Sequence, residues 1–245
     1  MKRICSCIFL LIIPAAPLLG QKVNDVNTPD LRPGAESKFT FEGDELVIFI
    51  PNDYNDSNAL PVIFYYHGQG GKPDVGFFRY VTDSNGFIII GMSYTYEPKP
   101  PASAARYANY LKTEMRRVGK LILYLQRDLG VKIDNNKLIV SGISKGGWFT
   151  SEAVEYRPQP WAGAIIIAAG RVRTTDYPGV KKLKDKLIYI GVGETDPNRK
   201  SGELANGFYR RYGAIVTFEI YEGLGHAPNP HSQILKQWLK DLAAK

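Results

Sequence analysis

Two short strand candidates come first, the alternating Lys38-Phe39-Thr40-Phe41 and the continuously apolar Leu46-Val47-Ile48-Phe49-Ile50. Between them lies Glu42-Gly43-Asp44-Glu45, whose Gly-Asp pair predicts a tight turn, so the segment reads as an antiparallel hairpin. Further on the pattern changes. Pro61-Val62-Ile63-Phe64-Tyr65-Tyr66 and Gly86-Phe87-Ile88-Ile89-Ile90-Gly91 are short apolar runs ended by glycine or polar residues. From Ser103 to Leu129 the apolar residues Leu111, Met115, Val118, Ile122 and Leu125 recur at helical spacing. Lys137-Leu138-Ile139-Val140-Ser141 is apolar throughout its centre, as a strand covered on both faces requires.

Three further strands are expected at 163–168, 187–191 and 215–220, with helices at 146–156, 199–212 and 231–243. Strands alternating with helices predict an α/β domain, mostly parallel in its central sheet, with helices on both faces and the hairpin as an antiparallel edge. No linker interrupts 37–245, which is read as one domain. A chain of 245 residues suits a single α/β unit, large enough to fold without disulfides or metal.

The N-terminus follows different rules. Lys2 and Arg3 precede an apolar run from Ile4 to Ile13, and Pro14 and Pro17 break it before small residues ending near Gly20. This is the layout of an export signal, too short and too proline-rich for a retained membrane span. Residues 1–20 are therefore expected to be removed and the mature protein to be secreted or periplasmic. No stable membrane association is expected after that. Residues 21–36, rich in Asn, Asp and Pro, read as a flexible leader.

Composition narrows the chemistry. Both cysteines, Cys5 and Cys7, lie inside the signal, which excludes a disulfide framework and a thiol nucleophile from the mature chain. The net charge of +7 falls to +5 without Lys2 and Arg3, and no basic stripe interleaved with aromatics marks a nucleic-acid partner. The histidines show no metal-ligand spacing, and there is no dinucleotide fingerprint or P-loop, so neither metal nor cofactor is expected.

Gly142-Ile143-Ser144-Lys145-Gly146 carries weight through its place in the chain. It follows a buried strand and precedes a helix, the setting of a nucleophile elbow, where a sharp turn leaves no room for Cβ atoms at the glycines. A serine hydroxyl needs a base. Of the three histidines, His226 lies in the Gly-rich loop after the last strand and is the expected partner. His231 suits a surface or capping position, and His67 suits a structural one. The acid that orients the imidazole is expected at Asp196, after the strand at 187–191, in the order Ser, Asp, His. Glu194 is its nearest competitor and Glu222 a weaker one.

His67-Gly68-Gln69-Gly70-Gly71 follows the strand at 61–66 and offers backbone N–H groups for an oxyanion hole. Gln69 is the expected donor there, with Gly70 as an alternative, and Lys145 supplies the N–H after the nucleophile. Tyr94 and Tyr96, in a turn-rich loop, and Trp148, just past the nucleophile, are candidates for the substrate rim. Packing is the competing role for Trp148.

These four segments together resemble the α/β-hydrolase superfamily over residues 38–245. Within it they are similar to small, lid-poor esterases of the polyhydroxybutyrate depolymerase, feruloyl esterase and dienelactone hydrolase kind. The resemblance implies a serine esterase that acts on a small-molecule or polymeric ester, such as a glycan-linked one, through an acyl-enzyme. Secreted depolymerase-like esterases often carry cysteine pairs, and this mature chain would have none. Residues 171–186, where relatives insert a lid, are too few for a cap domain. A serine peptidase of the same fold and an inactive binding module remain as alternative functions.

Overall fold

The computed structural model describes residues 28–95, 104–171 and 177–245. Its core is one sheet of eight strands: β1 (Glu36–Phe41), β2 (Asp44–Phe49), β3 (Leu60–Tyr66), β4 (Ile88–Met92), β5 (Ile133–Ile143), β6 (Trp161–Ile167), β7 (Leu187–Gly193) and β8 (Ile215–Tyr221). Their order across the sheet is β1-β2-β4-β3-β5-β6-β7-β8. β1 and β2 form the expected hairpin, and β2 joins β4 antiparallel. Every other pairing is parallel.

The helices are α1 (Gly76–Val81), α2 (Ala104–Leu123), α3 (Lys145–Tyr156), α4 (Arg199–Arg211) and α5 (Gln233–Ala244). Alternation along the strands sorts them between the two faces of the sheet. Val62, Phe64 and Tyr66 of β3 pack with Leu111 and Val118 of α2, Phe149 of α3 and Tyr209 of α4. Ile63 and Tyr65 point the other way, into a core with Phe78 of α1 and Leu235 and Trp238 of α5. A strand with apolar neighbours on both faces must be apolar at every position, which is why the central strands read as unbroken runs.

Three boundaries differ from expectation. Glu36, placed in the leader on composition, is the first residue of β1. The stretch before it is docked as well: Pro29 is buried, and the Gly34 N–H donates to Ile50 O at 2.9 Å. A helix, α1, occupies a stretch with no expected element. The helical run after Ala104 passes at Tyr124 into a π-helical turn ending at Asp128. Between β6 and β7 the described residues hold only a 3₁₀ turn, Pro178–Lys182, in keeping with a fold that has little or no lid.

Candidate active site

Ser144 sits alone between the end of β5 and the start of α3, with φ 53° and ψ −114°. A positive φ costs a non-glycine residue about 1–3 kcal/mol, so the surroundings must enforce it. The glycines show how. A Cβ on Gly142 would fall 2.3 Å from the carbonyl carbon of Gly146, and one on Gly146 would fall 2.0 Å from Tyr66 O. The Ser144 N–H donates to Ile167 O at 2.9 Å, which ties the turn to β6. Although Ser144 is the N-cap residue of α3, its hydroxyl caps nothing and is directed to a histidine.

That histidine is His226, carried on the loop after β8. Its Nε2 lies 2.8 Å from Ser144 Oγ, and its Nδ1 lies 3.0 Å from Asp196 Oδ1. The Asp196 side chain has no exposed surface, whereas His226 keeps 39% of its own. Asp196 Oδ1 also accepts the Asn198 N–H at 2.7 Å, which fixes the carboxylate. The loops bearing acid and imidazole are joined directly: the Thr195 N–H and Oγ1 both donate to Leu224 O, at 3.0 and 3.2 Å. A Cβ on Gly193 would strike Gly225 O at 2.0 Å, so this approach also depends on glycine.

Glu194 is exposed and turned away, its Oε2 accepting the Gly223 N–H. Glu222 is exposed and, among the described residues, makes no bond to His226. His231 pairs with Tyr80, Nδ1 to hydroxyl at 2.9 Å, on the surface beside α5. The ring of His67 folds onto its own loop, Nδ1 lying 2.7 Å from Gly68 O. That loop runs beside the elbow: a Cβ on Gly68 would lie 3.7 Å from Ser144 Cβ. Gln69 is exposed, and among the described residues its N–H has no hydrogen-bond acceptor. Lys145 is the first residue of α3, at the positive end of the helix dipole.

Trp148 is half-buried and packs against the core cluster of α2, α3 and α4. Tyr94 is also half-buried, and its hydroxyl points inward, donating to His67 O at 2.6 Å. Tyr96 lies outside the described residues.

Behind this loop α2 places two charged groups that the sequence reading did not single out, Glu114 and Arg117, both buried. Burial pushes the Glu114 carboxyl above its ordinary value, against the opposing pull of Thr95 and Arg117. The only local signal for either was a charged residue on the apolar face of the helical pattern. Among the described residues no cluster of His, Cys, Asp and Glu could hold a metal ion, and no helix is long and apolar enough to cross a membrane.

No protein-family profile matches the chain, and no curated protein matches it by sequence. Solved structures do match. A carboxylesterase from Bacillus cereus aligns with TM-score 0.62 at 16% identity, covering 80% of this chain and 93% of that one. A thermostable esterase aligns with TM-score 0.61 at 20% identity over 84% of this chain, which spans 62% of the esterase's length. SOBER1 from Arabidopsis thaliana aligns with TM-score 0.59 at 17% identity, over 75% of this chain and 99% of that protein. The strand order and these likenesses together give the chain the α/β-hydrolase fold.

Proposed function

We propose that this protein is a serine carboxylic-ester hydrolase acting through Ser144, His226 and Asp196. The observation that carries the reading is the line of hydrogen bonds from the buried Asp196 carboxylate through His226 to Ser144 Oγ. His226 takes the hydroxyl proton as Ser144 attacks the ester carbonyl, and the buried carboxylate stabilises the imidazolium that forms. The N–H groups of Gln69 and Lys145 hold the oxyanion, each worth on the order of 3 kcal/mol in the transition state. His226 then protonates the leaving alcohol, and water releases the acyl group by the same route.

The esterases among the structural neighbours favour an ester over a peptide substrate. The short 171–186 connection favours an open site and large or glycan-linked esters. Export through residues 1–20 belongs to the same proposal and fits a substrate met outside the cytoplasm. A fluorophosphonate should label the wild type and leave Ser144→Ala unlabelled; failure to label the folded wild type would sink the enzyme reading. Turnover of p-nitrophenyl esters without cleavage of peptide amides separates esterase from peptidase. A panel of acetylated and feruloylated glycans then reads the alcohol and acyl groups.

A further inference from the structure

Tyr94 touches His67, two residues before the proposed oxyanion donor Gln69, and the side chain of the other proposed donor, Lys145. Its hydroxyl donates to His67 O at 2.6 Å, and its ring meets the edge of the His67 ring at 5.0 Å between centroids. The Lys145 ammonium lies 4.3 Å from the centre of the same ring. His67 leads the chain into Gly68 and Gln69, and Lys145 follows Ser144 directly. One side chain therefore spans the two elements, loop and helix start, whose separation sets the width of the hole.

Tyr94 is itself held on both sides. The Thr95 N–H donates to Glu114 Oε1 at 2.7 Å, and Arg117 Nη1 donates to Ser93 O at 2.9 Å. Tyr66, which ends β3 just before His67, donates its hydroxyl to the other Glu114 oxygen at 3.3 Å. Behind Tyr94, the Tyr66 and Phe149 rings pack at 5.5 and 6.0 Å. Burying a glutamate and an arginine is costly unless they are paired and hydrogen-bonded. Here both are spent on gripping the two residues next to Tyr94.

We infer that Tyr94 is a positioning residue that sets the spacing of the Gln69 and Lys145 N–H groups, in place of the substrate-stacking role its loop first indicated. The inference rests on the esterase reading above. It requires that loss of the hydroxyl widen or loosen the hole without altering contacts to the ground-state substrate. Small misplacements of this kind cost roughly 10- to 100-fold in rate.

Tyr94→Phe keeps the ring, the cation contact and the packing, and removes the hydroxyl that bonds His67 O. With a p-nitrophenyl ester, kcat should fall roughly 10- to 100-fold while KM holds. A trifluoromethyl ketone, whose adduct with Ser144 places an oxyanion in the hole, should weaken by the same factor. A raised KM with unchanged kcat would return Tyr94 to substrate contact, and no change in kcat, KM or inhibitor affinity would overturn the inference. If Tyr94→Phe does not fold, Lys145→Met keeps the backbone donor and loses the ammonium on the ring; it must lower kcat without raising KM, and unchanged kcat there overturns the inference too. Fluorophosphonate labelling run to completion on the wild type tests the esterase reading separately, since it needs Ser144 and His226 whatever Tyr94 does.

Discussion

Glu194 Oε2 accepts the backbone N–H of Gly223 at 2.9 Å, and so braces the turn leading to His226 without touching its ring. A glutamine there can present its amide oxygen to the same N–H. Glu194→Gln should therefore keep kcat within about twofold of wild type, because only a neutral acceptor is needed at an exposed turn. A dead Glu194→Gln beside an active Asp196→Asn would move the triad acid to Glu194. Steady-state kinetics on a short ester decides between them.

Asp196→Asn is the informative partner experiment, because Asp196 Oδ1 serves two donors, the His226 ring and the Asn198 N–H. An asparagine that turned its NH₂ toward His226 would also face the Asn198 N–H, donor against donor. The favoured orientation keeps oxygen toward both, which preserves the tautomer with the proton on Nδ1. The variant then loses the negative charge but not the orientation. Its kcat should fall by less than the roughly 10⁴-fold that a reversed tautomer costs in comparable triads. Asp196→Ala, which removes the acceptor as well, should fall further.

The parts of this fold that show in the sequence are those with one physical solution. Val62–Tyr66 and Leu138–Val140 are apolar at every position because helices cover both faces. Gly142 and Gly146 could be read as an elbow because no other residue fits those contacts. The hidden parts are settled by tertiary contacts. Gly76–Val81 is too short to display a helical period, and Asp134-Asn135-Asn136 reads as loop although it extends β5. Asp196 and Glu194 are two carboxylates in one turn, and their order along the chain favours Asp196 as the acid. That Asp196 meets the His226 ring while Glu194 meets the Gly223 N–H is set by tertiary contacts. The inward direction of the Tyr94 hydroxyl depends on a carbonyl far back in the chain, which no local pattern encodes.

Gly146→Ala should be among the most damaging single-methyl additions in the chain. The new carbon would lie 2.0 Å from Tyr66 O, a backbone atom at the centre of the sheet that cannot step aside. Overpacking typically costs about 1–3 kcal/mol, and a contact with backbone that cannot move lies at the upper end of that range. Gly207→Ala is the matching control: the site is exposed on α4, and nothing lies within 4 Å of the added carbon. It should gain up to about 1 kcal/mol from helix propensity. Denaturant midpoints of the two variants should therefore move in opposite directions.

Glu114 gives the protein a stability term whose sign follows from burial. Because its carboxyl is held above the ordinary glutamate value in the folded state, the fold keeps a proton that the unfolded chain has already released. Stability from this group is fully present below about pH 4.3, the unfolded value. It is lost as pH rises through the raised folded value, above which the buried charge must be carried. Glu114→Gln never carries that charge. Its amide oxygen can still accept the Thr95 N–H, and Arg117 retains Asp44 at 2.9 Å and Ser93 as partners. The stability of the variant relative to wild type should therefore improve from pH 4 to pH 8, measured by urea unfolding of both proteins in matched buffers. Taking the difference between the two removes Glu155, which burial also raises, since it titrates alike in both. A difference that stayed constant with pH would mean that Glu114 titrates alike in folded and unfolded chains, and a variant that lost ground toward pH 8 would mean that its pairing with Arg117 outweighs its burial.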